Sequence, residues 1–141
     1  MDTVPIVFAL VAGFCTALEQ TINARLGREI TPGLATLHNL LIGALFMLLI
    51  NVLRGNIANY AKITKVSPLL MVGGIFGALI IYLSSRSIPI IGVTATLTLI
   101  IAGQLACGII TDVLFSSITF SAAKWIGIAL VTAGVYLIMR Q

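Results

Sequence analysis

Residues 4–24 read VPIVFALVAGFCTALEQTINA, an apolar run broken by one charged residue, Glu19, and ended by Arg25. A helix rises 1.5 Å per residue, so about 20 apolar residues cross the roughly 30 Å of hydrocarbon in a bilayer. The run predicts a transmembrane helix over 4–24. Working outward, four further stretches meet the same test. Residues 34–53 follow Thr31-Pro32-Gly33, a good helix start, and are stopped by Arg54-Gly55. Residues 67–85 are opened by Ser67-Pro68 and closed before Arg86. Ile88-Pro89 punctuates a short turn before 90–115, and Lys124-Trp125 opens a last stretch, 124–140. Polar segments join them at 56–66, with Asn59, Lys62 and Lys65, and at 116–123.

Composition agrees. Of 141 residues, 60% are hydrophobic and 9% charged, whereas a soluble domain carries about a quarter charged residues. The expectation is one all-α domain, 1–141: an integral membrane bundle of five transmembrane helices. Asp2 stands where a secretory signal would be basic, so the first helix is expected to be retained. Cys15 and Cys107 lie inside apolar runs, where a disulfide is not expected. The eight Lys and Arg against four acids form no basic run. They read as anchors at the membrane surface, and no nucleic-acid partner is implied.

An odd span count puts the termini on opposite faces of the membrane. One face then carries Arg54, Lys62, Lys65 and Lys124, and the other Arg25, Arg28, Arg86 and Arg140. Orientation follows the Lys/Arg bias between faces, and here the faces balance. Charges near the first helix could still fix one orientation. The sharper reading is insertion both ways up, giving an antiparallel homodimer of ten helices, an inverted-repeat pair. Gly73, Gly74 and Gly77, and the seven-spaced Gly127 and Gly134, offer surfaces on which helices approach closely, within one chain or between two.

Polar residues inside the spans are the candidate site. An ionised carboxylate at the depth of Glu19 is expensive, and such acids usually face a bundle interior or a wet cavity. Thr16, Glu19, Gln20 and Asn23 make one polar stripe on an apolar helix. A carboxylate there can hold a cation or a proton, but not both comfortably. The bland alternative is that Glu19 pairs with Arg25 or Arg28. Gln104 shares a broad face with Thr96, Gly103, Cys107 and Thr111, and either lines a path or makes an interhelical hydrogen bond. His38 and Asn39, near the start of the second span, complete the candidate substrate- and proton-binding set. A lone His at a helix end is more often structural or interfacial. Tyr82 and Trp125 read as interfacial aromatics, and Asp112 as a local hydrogen-bonding or topological group. The spacing supplies no metal-ligand cluster, no nucleophile–base pair and no cofactor-binding loop, so neither an enzyme nor a cofactor is expected.

The run ALEQTINARLG at 17–27 resembles the acidic first helix of the small multidrug resistance proteins. WIGIALVTAGV at 125–135, with its seven-spaced glycines, is similar to the closing helix of the drug/metabolite transporter superfamily. The likeness covers most of the chain and is nearest to the small bacterial five-helix, YdcZ-type branch. It implies a multi-pass protein of the bacterial inner membrane that carries a small solute as an antiparallel pair. Glu19 would be the shared substrate- and proton-binding carboxylate, and the Gly127/Gly134 face would pack the dimer. The second span has no equivalent in the four-helix relatives, and the chain lacks their aromatic-rich third helix. The expected function is secondary-active, proton-coupled transport. The competing reading is a non-transporting membrane subunit or scaffold whose polar stripe binds a partner protein.

Overall fold

The computed structural model describes residues 3–115 and 122–140, and it is helical throughout. Helix α1 spans Thr3–Glu29 and α2 spans Pro32–Leu53; α3 is Gly73–Ile91, α4 Val93–Phe115 and α5 Ala122–Met139. Two 3-10 stretches, Ile57–Lys65 and Pro68–Val72, fill the interval between α2 and α3. The chain forms two compact units, Met1–Pro89 and Ile90–Gln141. In the first, α1 packs on α2 and α2 contacts the first 3-10 stretch; in the second, α4 packs on α5.

Four segments are long and apolar enough to cross a membrane: Thr3–Glu29, Pro32–Leu53, Pro68–Ile91 and Val93–Leu114. A fifth, Trp125–Ile138, is apolar but shorter. The helix ends differ from the expected spans in several places, and the opening of the third span, Pro68–Val72, is 3-10 rather than α-helix. Helix α1 continues past Arg25 to Glu29, and α3 runs through Arg86 and Pro89 to Ile91. Proline lacks an N–H and so leaves the carbonyl four residues back, that of Ser85, without its helical donor. Membrane helices tolerate this where neighbouring groups re-satisfy the freed backbone. The break between α3 and α4 falls instead at Gly92, whose φ of +83° only glycine adopts readily. The expected 116–123 turn lies mostly outside the described residues, as does the side chain of Lys124.

Helix ends follow local chemistry. Thr31 caps α2, its hydroxyl accepting from the Leu34 amide at 3.2 Å, with Pro32 in the first turn. At the other end Gly55 takes φ +67°. The Asn56 amide donates to the Asn51 carbonyl at 2.9 Å and the Gly55 amide to Val52 at 3.0 Å. That pair of bonds is a Schellman closure, which satisfies carbonyls the helix would otherwise orphan.

Burial runs opposite to that of a soluble protein. Large apolar side chains such as Phe8, Leu10, Phe46 and Leu130 stand outward. The buried side chains are Gln20, Asn23, Thr36, Ser84, Ser85 and Thr96, with only Ala24, Ala35 and Ile88 as apolar company among the described residues. In water this surface would drive aggregation. In lipid it costs nothing, because acyl chains are as apolar as leucine, and polar groups are the ones that gain by turning inward.

Candidate functional site in the first helical unit

Glu19 lies 19 − 3 = 16 residues from the start of α1 and 29 − 19 = 10 from its end. At 1.5 Å per residue, those are about 24 Å and about 15 Å. Its side chain is half-buried. The Asn39 amide, from α2, donates a hydrogen bond to Glu19 Oε1. The carboxylate is thus held by a neutral amide rather than by Arg25 or Arg28, both of which are exposed.

Next to it the stripe turns fully inward. Gln20 is 1% exposed, and neither its Nε2 nor its Oε1 has a hydrogen-bond partner among the described residues. A buried polar atom without a partner costs roughly 1–3 kcal/mol. Most such atoms in proteins are satisfied, which sets Gln20 apart among the described residues. Asn23, a turn further on, donates through Nδ2 to Ser85 Oγ of α3 at 2.5 Å, while its own Oδ1 is unpartnered. Ser85 in turn donates to the Ile81 carbonyl at 2.8 Å, and buried Ser84 to Ile80 at 2.6 Å. Small neighbours make room for this packing. Ala24 of α1 and Ala35 of α2 are buried, and a Cβ on Gly27 would sit 3.2 Å from Pro32 Cα.

The expected site residues therefore separate into groups. Glu19 and Asn39 are joined directly, and Gln20 and Asn23 form the buried continuation of the stripe. Thr16 is half-buried but gives its hydroxyl proton to the Ala12 carbonyl of its own helix at 2.9 Å. His38 is exposed on α2. Gln104 belongs to the second unit, where it lines a groove of about 440 Å³ between α4 and α5 with Gly108, Asp112, Gly127 and Val131. Gly127 thus shares a groove with Gln104, and Gly134 is half-buried on the same helix. Sequence reasoning missed Ser85. The signal was the Ser84-Ser85 pair at the end of an apolar run, which reads equally well as a helix terminus.

Chemically, the first unit presents a carboxylate that accepts, an amide free to donate and accept, and one further free carbonyl. That set can bind a proton or a small polar solute. Among the described residues no group of three or more His, Cys, Asp or Glu gathers to hold a metal ion.

The fold and its burial pattern define a polytopic helical membrane protein with a polar interior. The family model DMT_YdcZ, described as "Putative inner membrane exporter, YdcZ", matches residues 4–137. The chain belongs to this family. It is a multi-pass inner membrane protein and a membrane transporter, and an exporter is not an enzyme class. No curated protein and no solved structure matches the chain.

Proposed function

We propose that the chain is a proton-coupled, secondary-active exporter of a small solute. The working unit is an antiparallel homodimer of five-span chains with two Glu19 carboxylates at a central cavity. The observation that carries this reading is the pairing of Glu19 with Asn39 beside the unpartnered amide of Gln20. In that arrangement a proton and a solute compete for one carboxylate. Asn39 positions the carboxylate, while Gln20 and the free Asn23 carbonyl supply hydrogen bonds to a solute that lipid could not. Rocking of one protomer against the other would then alternate access. The direction of transport follows the family description.

Two features support the pairing of chains. A Cβ built on Gly73, Gly77, Gly127 or Gly134 meets nothing within 4 Å, so these small-residue faces have room for a further helix. The Lys/Arg tally between membrane faces is balanced.

The test is proteoliposome transport with an internal pH-sensitive dye, screening a panel of small solutes for proton release. Wild type is expected to couple solute entry to proton movement, and Glu19→Gln to lose that coupling to background, a fall of at least roughly tenfold. Unchanged coupled flux in Glu19→Gln would remove the central claim. Absence of flux for every solute, with Glu19→Gln instead disrupting association with a copurifying protein, would favour the scaffold reading.

A further inference from the structure

The interval between α2 and α3 was expected to be a polar connection, yet Ile57–Lys65 is nine residues of 3-10 helix. Runs beyond three or four residues are uncommon, because the hydrogen-bond geometry is poorer than in an α-helix. The sequence explains the exception. With three residues per turn, positions three apart stack on one edge. Ile57, Tyr60 and Ile63 make an apolar edge, and Asn59, Lys62 and Lys65 make a polar, basic one. Ala58, Ala61 and Thr64 fill the third. An α-helix, at 3.6 residues per turn, would smear these edges around its surface.

The apolar edge is open at Ile57 and Tyr60, while Ile63 is half-buried. Tyr60 is 69% exposed and Ile57 43%, and Leu53, just before the turn, is 77% exposed. The basic edge follows Arg54, and no Asp or Glu occurs between residues 30 and 111. Neither α2, α3 nor the 3-10 stretch itself therefore carries a carboxylate to neutralise Arg54, Lys62 and Lys65. A groove of about 870 Å³ separates this stretch from the end of α2. Ala44, Met47 and Leu48 line it deeper along α2, and Asn56, Asn59 and Tyr60 line it at the 3-10 end. Asn59 belongs both to the groove and to the basic edge.

That order, apolar then amide then cation, is the order of a phospholipid from acyl chain through ester to phosphate. We propose that the 3-10 stretch lies in the membrane interface and that the groove binds one anionic phospholipid. An acyl chain runs along Ala44, Met47 and Leu48, asparagine amides meet the ester and phosphate oxygens, and Lys62 and Lys65 neutralise the headgroup. Amphipathic segments lie in the interface with their apolar side down, and anionic lipids attract their basic side. The site depends neither on Glu19 nor on the pairing of chains.

The test places a Tyr60→Trp variant of the full chain in vesicles containing brominated phosphatidylglycerol or brominated phosphatidylcholine. Quenching is read after subtracting wild type, which carries the Trp125 background. Both lipids should quench, because the edge is buried in the interface. Phosphatidylglycerol should do so at roughly five- to tenfold lower mole fraction. Adding Lys62→Gln and Lys65→Gln should erase that preference, and Lys62→Arg with Lys65→Arg should keep it, which separates charge from misfolding. Soluble glycerol phosphate should not compete. Equal quenching by both lipids, competition by glycerol phosphate, or no quenching by either (as if a protein surface covered the edge) would overturn the proposal.

Discussion

Gln20 occupies the most demanding environment on α1. Burial has removed its amide from any solvent, and neither polar atom has a partner among the described residues. A side chain kept for packing alone would be better as leucine, which has similar bulk and no desolvation cost. Gln20→Leu is therefore expected to raise thermal stability in detergent, by about 1–3 kcal/mol, while lowering transport. Loss of stability in that variant would show that an ordered water or a backbone group already satisfies the amide. Glu19 was legible in the sequence because an acid inside an apolar run has few innocent explanations. Its pairing was not, since Asn39, though among the candidate residues, lies twenty residues away on another helix, and the partners the sequence offered for Glu19 were Arg25 and Arg28. Ser85 was less legible still. Its contact with Asn23 spans 62 residues of sequence, and serines in helices ordinarily bond back to their own backbone, as Ser84 and Ser87 do.

At the scale of elements, the α1–α2 hairpin depends on a close approach at one point. A Cβ on Gly27 would lie 3.2 Å from Pro32 Cα and 3.8 Å from Ala35 Cβ. The first distance is tight, and the atom it meets is backbone at the rigid start of α2. Gly27→Ala gains up to about 1 kcal/mol of helix propensity, which offsets the shift it forces. Gly27→Leu adds bulk that the hairpin cannot accept without splaying, and should cost roughly 1–3 kcal/mol. Thermal unfolding in detergent is expected to place alanine near wild type and leucine well below it. Equal stability of the two variants would mean that the hairpin is not closely packed there. The start of α2 could be read from Thr31-Pro32, because capping and proline placement are local rules. The end of α3 could not. Pro89 removes one helical bond, that to the Ser85 carbonyl, yet α3 continues two residues beyond it and ends where Gly92 adopts a positive φ. The 3-10 stretch was hidden for a related reason. Its period of three is neither the 3.6 of a helix nor the 2 of a strand, the two periods by which a sequence is usually scanned.

For the whole molecule, the decisive quantity is the balance of cations between membrane faces, since orientation is set by that difference and not by the total. The longer helices move Arg28 and Arg86 inside α1 and α3, but both stay near the helix ends that the proposed topology puts on one face. On the proposed five-span topology four cations fall on each face, neither orientation has an electrostatic advantage, and a population inserted both ways up is expected. Single cysteines at Asn59 and Arg28 would report it, after Cys15 and Cys107, both exposed, are replaced by alanine. Each site should label to roughly half with an impermeant maleimide from outside intact cells and to completion once the membrane is opened. Arg28→Cys itself removes one cation, so Thr31→Cys on the same connection serves as the charge-neutral check. Adding two lysines beside Asn56 should then drive that loop to the cytoplasmic side and leave Asn59 unlabelled from outside. If transport needs the inverted pair, that biased chain should lose most of its flux and recover it when coexpressed with a partner biased the other way. Labelling of each loop from one side only, in the unbiased chain, would sink dual insertion and leave the balanced charges without a topological role.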